Sequence, residues 1–184
     1  MSKLSPGKLS NPETFYAREI FRECPVTQLA YDRLKVRIAQ GIVQGVAARV
    51  EDDRHRVLLV RQHRENGWSR QWMTPGGGVE PRETPQRAIH REIHEEAGVR
   101  VEGLRLWKVY RNSYTSPKQG DSPLRFDILQ YVAQWRSGKP RSLVPEEISE
   151  VRWFHRLPRD MAFREDWLYR CPPVRAKPLI NQPR

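Results

Sequence analysis

The sequence predicts an α/β fold, in which a single domain combines a mixed β-sheet with a few helices. Three observations support this prediction. The 184 residues fit one domain with some extra length, since domains of about 150 residues are usual. Short apolar and aromatic segments recur between turn residues, as strands do. One segment, residues 85–97, has instead the apolar spacing of an amphipathic helix.

The predicted strands occupy the middle of the chain, and they cover residues 42–50, 57–60, 105–110, 125–133 and 151–154. The two ends of the chain are predicted to lie outside the main domain. Residues 1–35 are predicted to be an N-terminal extension with a short helix over residues 15–22, which Pro25 ends. A second helix is predicted over residues 158–169, and residues 171–184 form a proline-rich tail. The main domain is therefore expected to span residues 36–170.

The composition describes a polar, basic chain, with 33 Lys and Arg against 22 Asp and Glu and a net charge of +11. Such an excess favours anionic partners, which include nucleic acid, phosphorylated small molecules and anionic membrane surfaces. No apolar run approaches the ~18 residues of a membrane-spanning helix, and the N-terminus lacks the apolar stretch of a signal peptide. The two cysteines, Cys24 and Cys171, have no metal-binding spacing and suit a reducing cytoplasm.

The helix over residues 85–97 has clear ends. Thr84 is a good N-cap, Pro85 suits the first helical position, and Gly98 is a good C-terminal stop. On a helical wheel its apolar stripe consists of Ile89, Ile93 and Ala97.

Three glutamates, Glu92, Glu95 and Glu96, share another face of this helix at spacings i, i+3 and i, i+4. Like charges at these spacings repel, and the helix dipole disfavours anions in the last turn. A cation is therefore expected to compensate them. Clustered carboxylate oxygens suit a hard divalent ion, Mg²⁺ or Mn²⁺, and the upstream glycine run of residues 76–78 offers backbone carbonyls as further ligands.

The spacing of the surrounding residues matches a known signature. Written in order, its fixed positions are Gly77, Glu83, Arg91, Glu92, Glu95, Glu96 and Gly98, with the aliphatic residues Ile93 and Val99 at the two remaining positions. Over residues 77–99 the chain resembles the Nudix hydrolase family. The resemblance implies an α/β/α sandwich with a mixed sheet. It also implies Mg²⁺- or Mn²⁺-assisted hydrolysis of a nucleoside diphosphate linked to another moiety.

The resemblance also implies roles for individual residues. Glu92, Glu95 and Glu96 match the positions that bind metal, together with a backbone carbonyl of Gly76 or Gly77. Arg91 and Glu83 match the pair that braces the loop against the helix. The base that activates water differs between family members. The candidates here are Glu92 and a carboxylate outside the signature, for which we favour Glu147 in the segment 145–150.

Residues outside the signature are expected to select the substrate, and the sequence leaves that substrate open. Arg61 and Arg64, with Arg70, are candidates to grip phosphates. The aromatic candidates to stack a base are Trp68, Trp72, Tyr110 and Tyr114.

Three functions are consistent with these features. The main hypothesis is an enzyme that hydrolyses small nucleotides, such as nucleoside triphosphates, ADP-ribose or nucleotide sugars. The second is a Nudix-fold module that binds a nucleotide or RNA without turnover. The crowded acidic face argues against this hypothesis, because a module that only binds does not need it. The third is a hydrolase of capped RNA ends, which would use the basic charge as well. RNA is thus an open partner, and the apolar part of the extension leaves a homodimer open.

Overall fold

The structure is a computed structural model, and it describes residues 18–63 and 71–163. In chain order the elements are β1 (Arg18–Pro25), α1 (Gln28–Ala39), β2 (Gln44–Glu51), β3 (Val57–Gln62), β4 (Trp72–Met73), β5 (Gly76–Gly78), α2 (Pro85–Ala97), β6 (Arg100–Thr115), β7 (Leu124–Ser137) and β8 (Ile148–Phe154). The predicted α/β class is confirmed.

The strands form one mixed sheet in the order β1-β6-β7-β2-β3-β4, while β5 pairs with β2 and β8 pairs with β3. The pairs β1/β6 and β2/β7 are parallel, and the remaining pairs are antiparallel. All five predicted strands are present, and β6 and β7 extend well beyond the predicted segments.

Each face of the sheet carries its own apolar cluster. On one face, alternate residues of β2 and β3 pack against α2, whose Ile89, Ile93 and Ala97 are fully buried as predicted. On the other face, Val57, Leu59 and Val132 pack with aromatic and sulfur-containing side chains, namely Trp72, Trp107 and Met161. Successive residues of a strand face opposite sides of the sheet, so β2 and β3 supply both clusters.

Side chains of the two helices approach β5 from opposite faces. A Cβ built on Gly77 would meet the Glu92 side chain of α2, whereas one built on Gly78 would meet Arg37 of α1. Because successive strand residues face opposite sides, each helix contributes a charged group to one face of the glycine strand.

Two of the predicted helices are wrong in the part that the structure describes. Residues 18–22 belong to β1, because eight residues from Arg18 pair in parallel with β6. Residues 158–163 form turns and a bridge to Trp72 rather than a helix. Residues 15–17 and 164–169 of these predicted helices, and the tail 171–184, lie outside the described residues.

Helix α1 was not predicted, and the boundary placed between residues 35 and 36 falls inside it. The helix exposes most of its side chains and buries only Tyr31 among its residues, so it has almost no apolar stripe to detect. Its start is nevertheless well capped, since the Ala30 N–H donates to the Thr27 hydroxyl (3.3 Å). The described part of the predicted extension is therefore built into the sheet and its helical layer.

Candidate active site

The glycine strand β5 and helix α2 form the core of the site. Both predicted helix ends are confirmed: the Arg87 N–H donates to the Thr84 hydroxyl (3.3 Å), and Gly98 is left-handed with φ 66°. Because a glycine accepts this φ without steric cost, the helix ends cleanly one residue after Ala97. The carboxylates of the last two turns are thereby held beside β5.

Glu96 is the most deeply buried acid of the site, with 4% of its surface exposed. Its Oε2 accepts a hydrogen bond from the Gly76 N–H (2.8 Å). The pKa of Glu96 is raised to about 8, chiefly by burial and in part by the negative charges of Glu92, Glu147 and Glu95, while the Gly76 N–H opposes the shift.

Glu92 lies directly across the glycine strand. A Cβ at Gly77 would collide with the Glu92 carboxylate, so only glycine leaves room for this side chain. Burial also raises the pKa of Glu92, against the opposing effect of Arg91. The two carboxylates thus approach the same short strand, Glu96 from its first residue and Glu92 from its second.

Arg91 links the acidic side chains to the loop. Its guanidinium pairs with Glu83 (2.9 Å), Glu92 (2.8 Å) and Glu95 (3.2 Å), and it also donates to the Gly78 carbonyl (3.1 Å). Hydrogen bonds from Arg91 lower the pKa of Glu83, and the same contacts raise the pKa of Arg91. The predicted pair Arg91 and Glu83 is therefore in contact, and Arg91 aligns Glu92 and Glu95 as well.

Glu147 reaches the site from the loop before β8. Its backbone carbonyl accepts a hydrogen bond from the His63 N–H (2.9 Å), and His63 Nε2 lies 2.9 Å from the Pro145 carbonyl. The charge of Glu147 contributes to the raised pKa values of Glu92 and Glu96. The structure thus brings Glu147 to the same cleft as the signature glutamates.

These residues fit a hard divalent cation by their chemistry. Among the described residues, six glutamates line the cleft, and four of them, Glu92, Glu95, Glu96 and Glu147, act on one another's charge. Oxygen ligands of this kind are those that a hard cation prefers. Within residues 18–63 and 71–163, no three His, Cys, Asp or Glu side chains already enclose a cation position. The donor atoms are therefore present, but they are not drawn together around one point.

The carboxylates line a large cleft of about 1700 Å³. The same cleft extends over β6 and β7, where Tyr110, Tyr114 and Asn112 line it. Burial raises the pKa of Tyr114 to about 12, and the Asn112 side-chain amide donates to the Tyr114 hydroxyl (3.3 Å). The structure therefore brings the predicted Tyr114, with Tyr110, into the same cleft as the glutamates.

The structure does not bring Arg61 and Trp72 to this cleft. Trp72 is 4% exposed and packs edge-on against Phe154 in the apolar cluster of the opposite face. Arg61 pairs with Glu150 (3.0 Å) and Asp160 (3.2 Å), and its guanidinium lies 4.3 Å above the Trp72 ring. Their positions make them packing residues. Arg64, Trp68 and Arg70 lie outside the described residues.

Several cleft residues were missed by sequence reasoning, namely Arg22, Arg33, Arg37, His63, Asn112 and Gln130. The three arginines come from β1 and α1, which the sequence did not reveal. The alternation of polar and apolar residues along β6 and β7 could have flagged Asn112 and Gln130, because residues two apart share one face.

This fold and site define a class of protein: an α/β domain that presents clustered carboxylates and a glycine strand to a cleft. Comparison with known proteins identifies the family. The NUDIX domain model matches residues 42–161, which is more than half of the chain. The chain therefore belongs to the Nudix hydrolase family, whose members generally use divalent metal ions.

Individual relatives match parts of the chain. It is 48% identical to diphosphoinositol polyphosphate phosphohydrolase 2 of Rattus norvegicus over 56 residues, which are 30% of each protein. It is 32% identical to RNA pyrophosphohydrolase of Yersinia enterocolitica over 114 residues, which are 57% of each. The chain thus aligns with under two thirds of the length of these curated relatives.

One solved structure shares both the fold and appreciable sequence. MutT NUDIX hydrolase from Burkholderia pseudomallei has a TM-score of 0.53 and 30% identity, over 65% of this chain and 89% of that one. Mutator MutT protein from Bacillus halodurans, with a TM-score of 0.52 and 23% identity, shows the same fold.

None of the helices in the described ranges is both long and apolar enough to cross a bilayer.

Proposed function

We propose that this chain is a metal-dependent pyrophosphohydrolase that cleaves a nucleoside diphosphate linked to another moiety. The observation that carries the proposal is the arrangement of Glu96. This carboxylate is buried, bonded to the Gly76 N–H and surrounded by Glu92, Glu95 and Glu147. Such crowding is unfavourable for stability alone, and a bound cation would relieve it.

Mg²⁺ or Mn²⁺ is the proposed cofactor, with Glu92, Glu95 and Glu96 as its side-chain ligands. When bound, such an ion neutralises phosphate charge and lowers the pKa of water. Arg91 holds Glu92 and Glu95 in place through its two short ion pairs, and Glu83 anchors Arg91 in turn.

The backbone ligand is better assigned to Gly76 than to Gly77. In the antiparallel pairing of β5 with β2, Gly77 lies opposite Val46. The pairs two residues away on each side are hydrogen-bonded: the Ala48 N–H donates to the Pro75 carbonyl, and the Val79 N–H donates to the Gln44 carbonyl. Because bonded pairs alternate along an antiparallel ladder, the Gly77 carbonyl is directed at β2. The backbone groups of Gly76 point away from β2 instead, and its N–H donates to Glu96. Its carbonyl is therefore the one we propose as a ligand.

Glu92 and Glu147 are the two candidates for the base that takes the proton from water. The raised pKa of Glu92 makes it a stronger base than an exposed carboxylate. Glu147 lies on a separate loop and has no ion pair with Arg91 among the described residues, so it can turn toward the cleft without disturbing the helix. We propose Glu147 as the base and Glu92 as a ligand.

The names of the relatives suggest a second candidate substrate. One relative is an RNA pyrophosphohydrolase, and this chain carries a net charge of +11, which favours binding of a polyanionic RNA end. A binding module without turnover remains the alternative from another class. We also keep the cytoplasm as the proposed compartment and a homodimer as a proposed state.

A substrate panel tests the function. The panel contains normal and oxidised nucleoside triphosphates, ADP-ribose, nucleotide sugars, dinucleoside polyphosphates and triphosphorylated or capped RNA, with Mg²⁺ or Mn²⁺. We expect turnover by the wild type that is lost in the Glu95→Gln/Glu96→Gln variant and kept in His90→Asn/His94→Asn, whose side chains line a separate pocket. Metal binding without any turnover would favour the binding module.

A further inference from the structure

We propose that Arg33 and Arg37 of α1 bind a phosphate group of the substrate that lies outside the cleaved diphosphate. The substrate would then belong to the class of polyphosphorylated compounds, with at least one phosphate beyond the linkage that is hydrolysed. This inference rests on the proposed function. It concerns the part of the cleft that α1 lines.

Both arginines are placed on the cleft side of α1. They are one turn apart, at i and i+4, so their guanidinium groups lie on the same helical face. The residues of α1 that line the cleft repeat at helical spacing: Leu29, Ala30, Arg33, Leu34 and Arg37. The third basic residue of the helix, Lys35, is exposed and does not line the cleft.

Arg37 also lies beside the proposed metal loop. Its Nη2 is 2.6 Å from the position that a Cβ of Gly78 would take, so the guanidinium covers this glycine. The Gly78 carbonyl in turn accepts a hydrogen bond from Arg91, which pairs with Glu92 and Glu95. The carboxylates and Arg37 therefore approach the same glycine strand from its two faces, and both line the same cleft.

The wall that carries these arginines is a fixed part of the domain. Strand β1 pairs over eight residues with β6, and Arg111 of β6 pairs with both Glu19 and Asp127. The Tyr31 hydroxyl donates to the Ser122 carbonyl (2.7 Å). Because α1 is anchored in this way, the backbone that carries the arginines needs little reorganisation when an anion binds.

The wall is also additional to the family match, which begins at residue 42. The signature supplies the acidic end of the cleft, and the preceding residues supply the basic end. Guanidinium groups recognise phosphate through paired, charge-assisted hydrogen bonds, whereas the apolar floor of Phe126 and Ile128 offers none. A phosphate is therefore the group that the basic end selects.

The test measures binding to the full chain by calorimetry, at fixed Mg²⁺ and salt. The probes are AMP and methylene-bridged analogues of ADP and ATP, whose bridges are not hydrolysed. We expect affinity to rise with phosphate number in the wild type. In Arg33→Gln/Arg37→Gln, the affinity for the ATP analogue should fall about tenfold or more, while that for AMP changes less than about twofold.

Two matched variants make the result specific. Lys35→Gln removes the same charge from the same helix and should bind all three probes as the wild type does. Arg33→Lys/Arg37→Lys should recover part of the affinity for the ATP analogue. Equal losses for all three probes, an equal effect of Lys35→Gln, or a wild type that binds the ATP analogue no better than AMP would each overturn the proposal.

Calorimetry together with the kinetics of the substrate panel, run on the same variants, separates this inference from the proposed function. Phosphate-dependent binding through the arginines, without turnover of any substrate, would refute hydrolysis and leave this inference standing. Turnover with a KM that the arginine variants do not change would refute this inference alone.

Discussion

The two ends of the cleft use opposite charges in opposite ways. At the acidic end, Glu92 and Glu96 are packed against glycine backbone, and burial raises the pKa of both. At the basic end, Arg33 and Arg37 are exposed on α1. Buried carboxylates destabilise the folded protein when they are charged and no cation is bound, whereas exposed arginines lower its stability little. The acidic end is therefore specialised at the expense of stability.

The largest effect is expected from Glu96→Gln. This change keeps the shape and the acceptor for the Gly76 N–H but removes the negative charge. We expect turnover of the best panel substrate to fall by about 10³-fold, within the range typical of lost acid–base or electrostatic groups. The control is His94→Gln on the same helix, whose side chain lines a different pocket. Retained activity in Glu96→Gln would place the chemistry elsewhere.

The pH dependence of stability tests the same specialisation without any substrate. The pKa of Glu96 rises from 4.5 unfolded to about 8 folded, so the folded state binds the extra proton between these values. The stability from this group is complete below pH 4.5 and is lost as pH rises through 8. Between about pH 5 and 9 the metal-free wild type should lose on the order of 4 kcal/mol more than Glu96→Gln.

Urea unfolding in the presence of a chelator measures this difference at each pH. Added Mn²⁺ should restore the stability of the wild type at high pH, because it binds the charged carboxylates. Parallel pH profiles for the wild type and the variant would show that Glu96 titrates normally.

A smaller loss is expected from Gly77→Ala. The new Cβ would collide with the Glu92 carboxylate and push it away from the strand. We expect kcat to fall by about tenfold to 100-fold, as when a group that orients a metal ligand is lost. Gly120→Ala serves as the control, since its Cβ meets nothing within 4 Å although its φ is +94°. It should cost about 1 kcal/mol of stability and leave kcat unchanged.

The smallest effect on catalysis is expected at Arg61. Its guanidinium pairs with Glu150 and Asp160 and stacks on Trp72, away from the cleft. Arg61→Gln should therefore change KM by less than about twofold and lower stability by about 1 kcal/mol. Steady-state kinetics beside an unfolding curve would check both values. A tenfold rise in KM would instead support the prediction from sequence that Arg61 binds a substrate phosphate.

The two ends also differ in how far the sequence predicts them. Thr84, Pro85 and Gly98 are local signals for helix ends, and the glutamate spacing is read on a single helix, so α2 and its acidic face follow from short-range rules. Helix α1 lacks an apolar stripe, and its place is fixed by distant contacts such as Tyr31 with Ser122. Such long-range pairing leaves no local trace in a single sequence.

The same limit explains the aromatic and basic candidates. Trp72 lies next to the glycine run in sequence, which makes it a reasonable stacking residue on proximity alone. In the sheet it sits in β4 at the far edge, where the pairing with β3 turns it into the opposite cluster. Strand order, which cannot be read from short-range patterns, decides which face a residue serves.

Manganese binding is the direct test of the metal site on α2. Electron paramagnetic resonance would count bound Mn²⁺ in the wild type, in Glu92→Gln/Glu96→Gln and in His90→Asn/His94→Asn, with circular dichroism to verify folding. We expect the wild type and the histidine variant to bind Mn²⁺ alike, and the folded glutamate variant to lose this binding. Undiminished Mn²⁺ binding by the glutamate variant would contradict the assignment of the metal site to α2.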